Sequence, residues 1–245
     1  MHPQSFHWAD ISVVAALVLL EGLLSGDNAI VLAVIARDLP ADQRKKALLY
    51  GVVGAFALRF VAILTASLVL RLWWIQAVGA GYLLYITANH FWKSASNKEK
   101  TPPVPKGFWP TVFTIEVVDF AFAMDSVLAG VAFVGGKMDK IWLVWFGAVI
   151  GILLLRVASG FFINLLEKVP ALDHIAYLFV GWVGVKLAML AAHSAHATGI
   201  IPGAVPEMAD YVFWTGMGAA VLAGLWVVLR EKWAKPMREA GEAED

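Results

Sequence analysis

Seven apolar runs, each long enough to cross the roughly 30 Å hydrocarbon layer of a bilayer, leave this chain little choice but a bundle of membrane helices. They lie near 9–36, 46–70, 73–92, 108–134, 141–165, 174–192 and 210–230. Only 16% of the 245 residues are charged, well below the usual quarter or so of a soluble domain. Tryptophans gather at the ends of the runs (Trp8, Trp73, Trp74, Trp92, Trp109, Trp142, Trp233), where an amphipathic ring suits the lipid–water boundary. A net charge of zero gives no reason to expect a nucleic-acid partner, and the lack of cysteine excludes disulfides and thiolate metal sites. The opening MHPQSFHWAD has no basic residue ahead of the first run and does not read as a cleaved leader.

Lysine and arginine give the runs an orientation. With the N-terminus outside, the inner segments carry Arg37, Arg44, Lys45, Lys46, Lys93, Lys98, Lys100, Lys106, Lys168, Arg230, Lys232, Lys235 and Arg238, and the outer ones only Arg71, Lys137 and Lys140. The positive-inside rule then predicts a multi-pass protein of the cell membrane, N-terminus out and C-terminus in.

The two sides of the polar linker 93–107 resemble each other. Asp27-Asn28-Ala29 in the first run parallels Asp125-Ser126-Val127 in the fourth, and an acid, Glu21 or Asp119, lies six residues before each aspartate. Downstream come Gly54-x4-Arg59 and Gly151-x4-Arg156, so the aspartate-to-arginine distances are 32 and 31 residues. The expected fold is all-α and polytopic. Three-helix units over 1–92 and 108–192 are joined by a cytoplasmic linker at 93–107; an outer loop and seventh helix at 193–230 and a cytoplasmic tail at 231–245 follow. Because three is odd, the second unit must be inverted, as in many secondary transporters, whose ion sites lie where the repeats meet.

The run acids Glu21, Asp27, Glu116, Asp119 and Asp125, with the bases Arg59, Arg156 and Lys186, sum to −2 if all are ionised. One divalent cation or two protons would neutralise that remainder. Charges in a bilayer persist only with partners or a function. Carboxylate, amide and hydroxyl oxygens suit hard cations such as Mg²⁺, Ca²⁺ or Mn²⁺, which makes Asp27, Asn28, Glu116, Asp119 and Asp125 candidate ligands, with Ser126 and Glu21 as additional ones. Arg59, Arg156 and Lys186 read as charge partners, and plain interhelical salt bridges are the competing account of the whole set. On an unbroken helix Glu21 and Asp27 would stand about 120° and 9 Å apart, so the Ser25-Gly26 step is expected to unwind. Glu116 and Asp119 share a face without a break. His193-x2-His196 is a weak zinc pattern and reads rather as interfacial.

EGLLSGDNA (21–29) and TIEVVDFAFAMDSVLA (114–129) resemble the paired signatures of the TerC family of integral membrane proteins, and the likeness covers the whole chain. Gly26 departs from it, since many members carry an apolar residue there. The resemblance implies manganese(II) efflux, with Mn²⁺ as the bound and transported ion and Asp27, Glu116, Asp119 and Asp125 matching the family carboxylates. Other readings are export of another divalent cation such as calcium, or a membrane partner that delivers manganese to other proteins. An intramembrane aspartic protease is disfavoured by the surrounding charges, so no enzymatic activity is expected; protein partners are not indicated.

Overall fold

In the computed structural model, residues 8–65, 72–96, 107–135, 140–169, 172–203 and 205–241 are described, and among them there are eight helices and no strand. The helices are α1 (Trp8–Ser25), α2 (Asn28–Arg37), α3 (Ala41–Leu64), α4 (Trp73–Ala95), α5 (Phe108–Phe133), α6 (Ile141–Lys168), α7 (Asp173–Ala197) and α8 (Asp210–Gly241). By length and composition α3, α6 and α7 are apolar enough to cross a membrane. Most of the linker, 97–106, lies outside the described residues, as do Arg71 and Lys137.

The first apolar run is two helices, interrupted where the sequence predicts it. Gly26 and Asp27 form the step, and a Cβ on Gly26 would stand 2.9 Å from the Gly22 carbonyl oxygen, so the turn is too tight for a side chain. The Asp27 carbonyl accepts the first amides of α2, from Ile30 at 3.2 Å and Val31 at 3.4 Å. Pro40 ends the α2 segment by disfavouring helical backbone at Leu39. In the fourth run Ala123 and Met124 continue α5 without a break. Pro110 falls in the first turn of that helix, where a missing N–H costs nothing. The polar stretch 231–241, set apart in the sequence as a tail after the seventh helix, continues α8 as helix.

The helices pack in a consistent set of directions. α1 runs parallel to α6: Lys140 Nζ donates to both Asp10 carboxylate oxygens at 2.7 and 2.9 Å, Leu17 covers Gly147, and Glu21 covers Gly151. α3 runs parallel to α5, with the Tyr50 ring edge-on to Phe108 at 5.9 Å and the Glu116 carboxylate against Gly54. α3 opposes α6, through Arg44 with Glu167, Gly51 with Arg156, and Phe60 with Trp145. It follows that α1 and α5 point in opposite directions. α4 and α7 form an antiparallel pair in which Gly79 meets Leu187, Leu83 and Leu84 meet Gly184, and Thr87 meets Gly181. The pairing of α1 with α6 is matched by that of α5 with α3, and the contact of α2 with α7 by that of α5 with α4.

Small residues let these helices approach, as expected for packing without a hydrophobic drive. Gly81 does not take part in this: nothing lies within 4 Å of an added Cβ there, nor at Gly22, Gly160 or Gly218. Trp8, Trp74, Trp92 and Trp109 are exposed at helix ends. Large apolar side chains such as Leu19, Phe113 and Val157 point outward, the arrangement a lipid environment favours.

Candidate functional site

The ionisable groups of the apolar runs separate into three groups. In the first, Glu21 near the end of α1 accepts from Arg59 Nη1 on α3 at 2.5 Å and from the Ser25 hydroxyl at 2.9 Å. Arg59 is 2% exposed and Glu21 6%, so this is a buried ion pair joining two helices. Glu21 is therefore committed to Arg59. Ser25, one helical turn on, is a partner that only the i, i+4 spacing could have pointed out.

The second group repeats the pattern with a difference. Arg156 on α6 stands 3.8 Å from Asp119 on α5 and donates to the Gly51 carbonyl at 3.1 Å. Here hydrogen bonding is incomplete. Asp119 Oδ1, both Glu116 carboxylate oxygens, and Arg156 Nε and Nη1 are buried without a hydrogen-bond partner. Glu116 is held against Gly54, in space a Cβ would fill. Buried polar atoms normally find partners, so this concentration of unpartnered groups makes the cluster a candidate site.

Asp27, Asp125 and Lys186 form the third group. Asp27 is buried at the helix step, and Asn28 beside it is 2% exposed with its side-chain oxygen unpartnered. Among the described residues neither Asp27 nor Asp125 closes an ion pair. Lys186 Nζ lies 4.1 Å over the buried Phe213 ring of α8.

Of the remaining candidates, Ser126 turns its hydroxyl to the Ala123 carbonyl at 3.2 Å and lines, with Glu21, a cavity of about 10 Å³. His193 and His196 each bond a loop carbonyl through Nδ1, those of Val205 at 2.9 Å and Ile201 at 3.0 Å, and His193 Nε2 faces Glu207 at 3.2 Å. They fasten the loop between α7 and α8. Among the described residues no three acidic or histidine side chains form a group able to hold a metal ion in this conformation. The ligand set read from the sequence is thus spread over all three groups: Glu21 in the first, Glu116 and Asp119 in the second, Asp27, Asn28 and Asp125 in the third. One residue went unnoticed there: Gln76 of α4, 4% exposed with an unpartnered Oε1, whose signal was a lone amide within an apolar run.

Comparison with known proteins places the chain among integral membrane proteins. The integral membrane protein TerC family matches residues 6–239. The uncharacterized membrane protein YkoY of Bacillus subtilis is 44% identical over 192 residues, 72% of this chain and 59% of YkoY, so the chain spans less than two thirds of that relative. YceF, an uncharacterized membrane protein of the same organism, is 39% identical over 190 residues, covering 74% of this chain and 72% of its own length. The inner membrane protein YgdQ of Escherichia coli is 25% identical over 189 residues, 71% of this chain and 78% of YgdQ. No solved structure matches. With the paired acidic signatures placed on α1–α2 and α5, and a match running almost end to end, the chain belongs to the TerC family of integral membrane proteins.

Proposed function

We propose that this protein is a secondary transporter that moves a divalent cation, manganese(II), out of the cytoplasm, in exchange for protons. In this reading seven spans cross the plasma membrane with the N-terminus outside. Two three-span units of opposite direction, α1–α4 with α1 and α2 as one broken span, and α5–α7, flank the ion path. The opposed directions of α1 and α5 and the matched pairings of the two halves support that arrangement.

The observation that carries the proposal is the concentration of uncommitted buried oxygens. Glu116 Oε1 and Oε2, Asp119 Oδ1 and Asn28 Oδ1 lack partners, and Asp27 and Asp125 lack ion pairs among the described residues. An all-oxygen set of carboxylates and amides fits a hard divalent cation. Because these groups are divided between α2 and α5, the ion would complete its coordination as the two units rock together, and leave as they part. Glu21 and Asp119 keep their arginines throughout, and Asp119 offers its free oxygen.

The test is Mn²⁺ flux in sealed proteoliposomes together with Mn²⁺ binding in detergent, for the wild type and Asp125→Asn. Flux and binding that both fall in the variant support the transport site. Wild-type binding without flux would replace transport by metal delivery to other membrane proteins, and a complete lack of binding would return the acids to structural ion pairing.

A further inference from the structure

We propose that Gly54 of α3 is a positioning residue of the ion site: it opens the slot that holds the Glu116 carboxyl group of α5 away from Arg156 and so keeps it available to the ion. The inference rests on the transport reading and names what keeps one acid of that site uncommitted.

Two glycines of α3, Gly51 and Gly54, face charged side chains from two different helices. Three positions apart on a helix, they are surface neighbours at about 5–6 Å. The first seats Arg156 of α6: a Cβ on Gly51 would stand 3.1 Å from Arg156 Nη2, and the Gly51 carbonyl accepts from that same nitrogen at 3.1 Å. The second seats Glu116: a Cβ on Gly54 would stand 2.7 Å from Oε1 and nearer still to Cδ and Oε2. Side-chain carbons do not approach so closely, so the carboxyl group fills space that exists only because residue 54 has no side chain.

A carboxylate and a guanidinium on adjoining seats inside a helix bundle attract strongly, yet this pair stays open. Both Glu116 oxygens and Arg156 Nε and Nη1 lack hydrogen-bond partners, and Arg156 reaches Asp119 instead, at 3.8 Å. The α3 backbone keeps the two groups apart by holding each in its own place.

Gly151 of α6 shows that a glycine facing an acid need not do this. A Cβ there would meet the stem of Glu21, its Cβ at 3.0 Å, and would stand an ordinary 3.4 Å from the carboxyl carbon. That carboxylate passes beyond the glycine to Arg59 and Ser25. Gly151 is a packing glycine, whereas the space at Gly54 is cut to the carboxyl group itself. An added methyl group at Gly151 displaces the base of a side chain. At Gly54 it displaces the far end of a flexible one, which can turn aside toward the open nitrogens of Arg156.

The experiment is Mn²⁺ binding and thermal unfolding of the purified full chain in detergent, for the wild type, Gly54→Ala, Glu116→Asp, the two combined, and Gly151→Ala. Gly54→Ala should keep or raise the unfolding midpoint while weakening Mn²⁺ binding about tenfold, because the evicted carboxylate closes on Arg156. Glu116→Asp, one methylene short of the slot, should weaken binding by a similar factor. The combined variant should recover affinity to within about threefold of the wild type, since the added methyl group occupies what the shorter acid vacates. Gly151→Ala should do the opposite of Gly54→Ala, lowering the midpoint and leaving affinity unchanged. Losses that simply add in the combined variant, unchanged binding in Gly54→Ala, or a Gly54→Ala chain that unfolds as early as Gly151→Ala or does not fold, overturn the seat and leave transport standing. A wild type that binds no Mn²⁺ overturns both.

Discussion

Arg59 reaches the Glu21 carboxylate at 2.5 Å across 38 positions of sequence, and Arg156 stands in the corresponding relation to Asp119 at 3.8 Å. The first contact is closed and the second is loose. In the loose one, Asp119 keeps a free oxygen and Glu116 keeps two. One arginine pair thus fixes α1 to α3, and the other leaves acceptors of Asp119 and Glu116 unpartnered.

A closed buried pair should behave as a unit. Arg59→Met leaves Glu21 as an uncompensated charge and should lower stability by about 3–5 kcal/mol. Combining it with Glu21→Leu should recover most of that loss, since both desolvated charges are then gone. Thermal unfolding of the single and double variants in detergent measures the coupling. Simple additivity of the two changes would show that the pair is not what joins these helices.

Glycine contacts give a second, sharper test of packing. At Gly151 a Cβ would meet the Cβ of Glu21 at 3.0 Å and press harder still on its Cγ, so Gly151→Ala must push α1 away from α6. The expected cost is about 1–3 kcal/mol, typical of overpacking. Gly81 has nothing within 4 Å of the same construction, so Gly81→Ala should be neutral or stabilising by up to ~1 kcal/mol, the helix preference of alanine. Unfolding midpoints of the two variants should separate clearly in that order.

Glu116 separates a working carboxylate from a structural one. Both its oxygens are buried and unpartnered, so the charge contributes no hydrogen bond to the fold. Glu116→Gln should leave the unfolding midpoint unchanged or higher while cutting Mn²⁺ flux severely. A structural acid would show the reverse, a lower midpoint with flux retained.

Much of this was legible in the sequence because membrane helices impose strong patterns. The apolar runs located the helices and the Ser25-Gly26 step located the break, but the acid–arginine spacing was counted from Asp27 and Asp125, and the arginines pair instead with Glu21 and Asp119, six residues earlier. What spacing could not tell was which acids are committed. Glu21 and Asp27 look alike in sequence, but one turn of helix brings Ser25 to Glu21, and only the packing of α3 brings Arg59. Phe213 and Gln76 carry no pattern of their own, and their parts follow from which helices α7 and α4 meet. The continuation of α8 through Gly241 was missed because its polar composition breaks the apolar run without breaking the helix.

The end of α2 is tied to α7 by an ion pair whose role can be tested separately. Arg37, the last residue of α2, pairs with both carboxylate oxygens of Asp173 at the start of α7, the second contact measuring 2.8 Å. Arg44 on α3 joins Glu167 on α6 beside it. Part-exposed pairs of this kind add only about 1 kcal/mol to stability, so Arg37→Gln should unfold near the wild-type temperature. Its effect should fall on opening instead, because α2 carries Asn28 and is tied to α7 through this pair. The chain has no cysteine, so a single Ala36→Cys, at a position now 0% exposed, reports opening directly through its rate of reaction with a water-soluble thiol reagent. That rate should rise several-fold when Arg37→Gln is added, and rise less at high salt, where the wild-type pair is already screened. Equal rates in the two backgrounds would mean that α2 is held by its apolar packing alone and that the Arg37–Asp173 pair does not control entry to the site.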